Sequence, residues 1–218
     1  MNQISTYLTE MQHLLGRLPV GDITRAMHLI AEAFFDDRQV FLMGNGGSAA
    51  TASHFACDLA KSTITSGRRR FRVISLTDNV PLITAWANDW GYEDVFAEQL
   101  ANLVNPGDLV IAISGSGNSP NVLRAIELAR DHAAMTIGLT GFDGGKLAGI
   151  VDVCIVVPSQ SMPQIEDVHL ILQHLISSWL YQLISSESAV SLPRQSDPRE
   201  SAGPCEDLER ARVLTGDV

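Results

Sequence analysis

Basic residues are scarce in this chain: 15 Lys and Arg stand against 25 Asp and Glu, a formal net charge of −10. Nucleic-acid surfaces cluster cations, so this balance argues against one. The single basic run, Arg68-Arg69-Arg70, is too short to reverse it and reads as a solvated loop before a strand. Cysteine is nearly absent. Cys57, Cys154 and Cys205 are widely separated and form neither a CxxC pair nor a metal knuckle, which excludes a disulfide framework. Cys57 and Cys154 lie in apolar sequence and are expected to be buried thiols of a reducing compartment. No apolar run approaches the roughly 18 to 20 residues that span a bilayer. The first residues lack the basic start and apolar core of a secretion signal, so the expected location is cytoplasmic.

What is present is an ordinary globular composition, 45% hydrophobic and 18% charged over 218 residues, enough for one good-sized core. Short β-branched apolar runs at 39–43, 71–76, 108–113, 135–140 and 152–157 alternate with helical patterns at 49–61, 80–86, 92–103 and 120–132. The runs are near-continuously apolar, as parallel strands covered on both faces are. The rhythm predicts an α/β fold, a doubly wound parallel sheet with right-handed crossovers. Helical segments at 4–15 and 22–35 precede the first strand, and a long apolar one at 165–184 follows the last. Such flanking helices bury their apolar faces against the same helices of another subunit, which predicts a homo-oligomer, or against their own sheet. Residues 1–184 form the expected domain. From Ser185 the chain turns rich in Ser, Pro, Arg and Glu and reads as a disordered tail.

Two strand-to-helix turns carry the strongest chemical signal. The first strand ends in Gly44-Asn45-Gly46-Gly47-Ser48, the third in Ser114-Gly115-Ser116-Gly117-Asn118-Ser119-Pro120. Glycines let backbone N–H groups converge on an anion, the helix N-terminus adds a favourable dipole, and serine hydroxyls add uncharged donors. Neither turn is a Walker loop, because no Gly-Lys-Ser/Thr follows. Neither is a dinucleotide fingerprint: the nearest acidic candidate, Asp78, stands too far along. The phosphate of a small sugar or mononucleotide fits better. A third turn, Thr140 to Gly145, reads as structural.

Further along, His54 and Asp58 stand at i, i+4 on one helix face. The last helix carries Glu166, Asp167, His169 and His174. Glu166 and His174 are separated by about 80° around an α-helix. Two imidazoles with two carboxylates suit zinc, and equally suit general acid–base work. The spacing also fits a plain helix-surface contact.

Taken together, Gly44 to Ser48, Ser53-His54-Phe55, Ala87-Asn88-Asp89, Ser114 to Val122 and Leu139 to Lys146 resemble the sugar isomerase (SIS) domain. More narrowly they resemble phosphoheptose isomerases and the related branch of the DnaA-binding regulator DiaA. The resemblance runs to about Leu183. It implies a five-stranded, flavodoxin-like parallel sheet within a cytoplasmic homotetramer, with sites at subunit contacts. It implies a phosphate held by Ser48, Ser114, Ser116 and Ser119 beside Asn45, Gly46, Gly47 and Gly115, and a sugar chain contacted by Asn88 and Asp89. It further implies one zinc ion per subunit on His54, Asp58, Glu166 and His174, with Asp58, Glu166 and His174 sharing proton transfer and Glu166 also touching substrate. In metal-containing members these four positions are His, Glu, Gln and His; Asp58 and Glu166 depart from that pattern, and Gly115 stands where Thr is frequent. The implied reaction is aldose–ketose isomerisation of sedoheptulose 7-phosphate through an enediolate. The alternative is a non-catalytic, DiaA-like tetramer that binds DnaA. No appended helix-turn-helix domain is visible, which argues against a transcriptional regulator.

Overall fold

The computed structural model describes residues 2–186. Its centre is a five-stranded, wholly parallel sheet in the order β2-β1-β3-β4-β5. The strands are β1 (Gln39–Gly44), β2 (Arg72–Ser75), β3 (Leu109–Ile113), β4 (Met135–Thr140) and β5 (Val153–Val156). β3 is buried at every position and β1 at all but its first, whereas β2, on the sheet edge, buries only Ser75. Side chains alternate between two cores. Val40, Leu42, Leu109, Ile111 and Ile113 face one side, while Phe41, Met43, Val110 and Ala112 face the other.

Among the described residues seven α-helices surround the sheet: α1 (Gln3–Leu15), α2 (Val20–Phe35), α3 (Gly47–Cys57), α4 (Val80–Asp89), α5 (Ala97–Ala101), α6 (Pro120–Asp131) and α7 (Met162–Ser186). The first core takes α2, α3 and α7; the second takes α5 and α6. α2 thus covers its own sheet through Ile23, Ala26, Ile30 and Phe34, whereas α1 buries only Leu14. Among the described residues no helix is long and apolar enough to cross a membrane.

Three local expectations change. The helix expected at 92–103 is a 3-10 turn, Tyr92–Asp94, followed by the short α5. Val95, Phe96 and Ala97 are all buried. Three successive helical positions fan over about 200°, so one amphipathic face cannot bury them. Cys57 is exposed rather than buried, because it ends α3 on the side away from Phe55, Ala56 and Leu59. Cys154 is half-buried, and burial pushes its thiol pKa up. Ser185 and Ser186 close α7 instead of opening a tail. The remainder of the expected tail, with Cys205, lies outside the described residues.

Candidate active site

The order 2-1-3-4-5 has its switch point between β1 and β3, where the chain leaves in opposite directions and a crevice opens beyond the strand ends. Both Gly/Ser turns sit there. Residues of both turns line a cavity of about 150 Å³, among them Asn45, Ser48, Ser114, Gly115, Ser116 and Ser119. Neither α3, which starts after Gly46, nor α6, which starts after Ser119, has a side-chain cap. In the first turns Ala49 N–H is taken by Gly46 O and Val122 N–H by Ser119 O and Asn121 Oδ1, and Pro120 has none, so the N–H groups left for an anion are those of Gly47, Ser48 and Asn121. Ser114 and Ser119 hydroxyls lie 3.2 Å apart, and Ser116 Oγ accepts from the Asn118 N–H at 3.2 Å.

Gly117 shapes this turn. Its φ is +64°, and a Cβ there would overlap the Gly144 carbonyl oxygen. The third glycine turn is thus a brace for the second: Lys146 N–H donates to Asn118 Oδ1 at 3.1 Å and Leu147 N–H to Gly117 O at 2.9 Å. Gly115 has a similar reason. The space a side chain would need is filled by the Met162 thioether.

The second part of the site lies where α3 packs on α7. Asp58 opens a π-helical turn, Asp58–Ser62, that continues α3; such turns recur at functional sites. Its Oδ2 is 3.8 Å from His54 Nε2 and 3.9 Å from His174 Nε2. Ligand atoms of all three side chains lie within 4.8 Å of one another, and the two imidazoles meet edge-to-face at 5.0 Å between centroids. The His54 and His174 side chains are 45% and 52% exposed and Asp58 17%, so the cluster opens to solvent. Asp58, Ser62 and His174 also line a cavity of about 400 Å³. Two imidazole nitrogens and one carboxylate oxygen are donors that zinc accepts, with a fourth position open.

Glu166 does not join this cluster. It lines the cavity of the serine turn, close to Gly47, where a Cβ would sit 2.8 Å from Glu166 Oε1. The angle of about 80° between Glu166 and His174 is accompanied by a rise of about 12 Å along the helix, which angular position alone leaves out. The contacts Gly47–Glu166 and His54–His174 run in the same order on both helices, so α3 and α7 are parallel. The first Gly/Ser turn stands at one end of their shared groove and the His/Asp cluster about two turns further on.

Asn88 and Asp89 end α4, exposed and bonded to each other (Nδ2 to Oδ1, 2.7 Å). They do not line the serine-turn cavity. Tyr92, four positions past Asn88, does come to the turn: its hydroxyl donates to Asn45 Oδ1 at 2.9 Å. Asn45 is also held by reciprocal amide bonds with buried Asn121, both 2.9 Å. Neither Tyr92 nor Asn121 is assigned a role in the sequence, although Asn121 lies inside the quoted serine motif. Only the fold brings three such distant positions together. His169, one turn before Gln173 on α7, is a core residue rather than a ligand. It is 1% exposed, its Nε2 contacts Thr140 O at 3.1 Å, and burial lowers its pKa to about 4. A larger cavity, about 590 Å³ between α1 and the loop after β5, contains none of the predicted site residues.

Comparison with known proteins shows the family. The SIS domain model matches residues 6–141. A phosphoheptose isomerase of Aliarcobacter butzleri is 42% identical over 76% of this chain and 85% of that protein. One of Trichlorobacter lovleyi is 38% identical over 83% and 91%. The chain belongs to the phosphoheptose isomerase family of SIS-domain proteins. The solved structure of phosphoheptose isomerase GmhA from Neisseria gonorrhoeae superposes with a TM-score of 0.77 at 30% identity, over 83% of this chain and 97% of that one. The family's five-stranded parallel sheet with flanking helices is the fold seen here.

Proposed function

We propose that this chain is an aldose–ketose isomerase that converts D-sedoheptulose 7-phosphate to D-glycero-D-manno-heptose 7-phosphate. One observation carries the reading beyond family membership. A neutral-donor anion turn and a His/Asp cluster share one α3–α7 groove, about 10 to 12 Å apart. A seven-carbon chain phosphorylated at one end can lay its phosphate in the turn and its carbonyl end at the cluster.

Ser48, Ser114, Ser116 and Ser119, with the backbone of Asn45, Gly46, Gly47 and Gly115, hold the phosphate. Asn88 and Asp89 are assigned to the sugar chain of the bound substrate. A base removes a C1 proton alpha to the C2 carbonyl, an enediolate forms, and the proton is returned at C2 while the hydroxyl proton moves from O1 to O2. Asp58 and His174, at the carbonyl end, share these acid and base roles, while Glu166, also implied by the resemblance, stands nearer the phosphate. Glu166, beside the phosphate turn, is placed toward the middle of the substrate, where its charge favours sugar hydroxyls over the phosphate. His54, Asp58 and His174 would hold one zinc ion per subunit, which when bound stabilises the developing oxyanion as a Lewis acid. Glu166, the fourth residue that the resemblance implies, lines the serine-turn cavity instead of this cluster.

The active form is proposed to be a cytoplasmic homotetramer. Ile4 and Leu8 of α1 and Leu170, Ile171 and Leu175 of α7 are exposed apolar residues that a second copy would cover.

The test is turnover of sedoheptulose 7-phosphate by wild type and His174→Gln, each with chelator and with added zinc. Zinc-dependent turnover by wild type, reduced about 10²–10⁴-fold in the variant, is the expected result. Absence of turnover under every metal, with sugar phosphate still raising Tm, overturns the enzyme and favours a DnaA-binding protein.

A further inference from the structure

Neither the sequence pattern nor the proposed chemistry uses Gln173 of α7. It is wholly buried, at 0% exposure, between His169 and Ser177 on the face of α7 turned toward α3. Its Nε2 donates to Asp58 Oδ2 at 2.5 Å, the oxygen that faces both imidazoles. On the other side, Ser62 Oγ donates to Asp58 Oδ1 at 3.1 Å. The amide orientation is fixed by charge, because turning it over would set a carbonyl oxygen against the carboxylate. The consequence is that Gln173 Oε1 has no partner. A buried acceptor left unpaired is unfavourable, and an apolar residue of the same length would avoid it. Core stability therefore does not account for glutamine at this position; the carboxylate it holds does.

We propose that Gln173 is a positioning residue for Asp58. Gripped between Gln173 and Ser62, the carboxylate cannot rotate about its terminal bond, and Oδ2 stays aimed at the point where His54 and His174 converge. Preorganisation of this kind raises metal affinity and turnover without a contact to the sugar. The proposal rests on the reading of His54, Asp58 and His174 as a zinc-holding set.

The experiment compares wild type, Gln173→Met, Gln173→Asn and the swap Asp58→Glu/Gln173→Asn. The swap lengthens the carboxylate by one methylene and shortens the amide by one. Zinc affinity is measured by chelator competition, alongside Tm, KM and kcat. Gln173→Met is expected to keep or raise Tm, to leave KM within about twofold, and to lower zinc affinity and kcat about tenfold, which is about 1.4 kcal/mol. Gln173→Asn, which keeps an amide but loses its reach, should bind zinc as weakly as Gln173→Met, and the swap should bind it more tightly than Gln173→Asn. Should Gln173→Met fail to fold, the pair Gln173→Asn and swap decides the matter alone. Wild-type zinc affinity and kcat in Gln173→Met or Gln173→Asn would overturn the proposal, as would a wild type that binds no zinc. A wild type without turnover that still shows the zinc difference would overturn the isomerase and leave Gln173 in its role.

Discussion

His169 shows how a single side chain can be placed for packing and still leave a signature in solution. Its ring is neutral in the folded protein, held near a pKa of about 4 by burial, whereas in the unfolded chain it titrates near the ordinary 6.5. Between those values the unfolded state binds a proton that the folded state refuses. The stabilisation is fully present above about pH 6.5 and is lost as pH falls toward 4. Lowering pH from 7.5 to 5 should therefore reduce unfolding free energy by about 2 kcal/mol through this residue alone. His169→Gln retains a donor for Thr140 O and removes the titration. Urea melts of both proteins at the two pH values check this: the wild-type decline should exceed the variant's by that amount. Equal declines would show that His169 is solvated or protonated in the fold.

At the scale of elements, the turn proposed to hold the anion depends for its shape on its neighbours. The β3–α6 turn keeps its shape because the turn after β4 packs under it, with Gly117 against Gly144 and Asn118 bonded to Lys146. Gly117→Ala would put a Cβ into a left-handed conformation, at about 1–2 kcal/mol, and into the Gly144 carbonyl as well. A loss of more than about 2 kcal/mol lowers Tm by at least about 4 °C for a chain of this size. Thermal melts should show that fall, with KM for the sugar phosphate raised as Ser116 and Ser119 move. An unchanged Tm would mean that the two turns separate at no cost. The parallel pairing of α3 and α7 acts likewise on the other half of the site, since it sets the spacing from phosphate turn to His/Asp cluster.

The whole molecule carries net charge −10 and yet is assigned an anionic substrate. The cavity proposed for the phosphate is lined by no Lys or Arg among the described residues; the donors proposed for it are serine hydroxyls and helix N-termini. Such donors act at close range and leave the long-range field of the protein negative. Exposed Ile4 and Leu8 on α1 and Leu175 on α7, at 66%, 63% and 46%, belong to this scale too. Leu8→Glu should shift the proposed tetramer to smaller species in sedimentation or light scattering while the monomer fold survives, because Leu8 is an exposed residue outside both cores. A wild type that sediments as a monomer would sink the assembly.

Much of this was determined by the sequence alone. Short, β-branched apolar runs between turn residues, such as 109–113, read as strands covered on both faces, and Gly/Ser turns at two strand ends read as uncharged anion donors, because those properties live in consecutive residues. His54 with Asp58 is equally local, one helical turn apart. Tertiary structure decided what depends on contacts between distant segments. It set Glu166 beside Gly47 instead of among the imidazoles, brought Tyr92 and Asn121 to Asn45, and turned Gln173 inward onto Asp58. A helical repeat fixes the angle at which a side chain leaves its axis, but only the packing of a second helix fixes what stands opposite, and at what height.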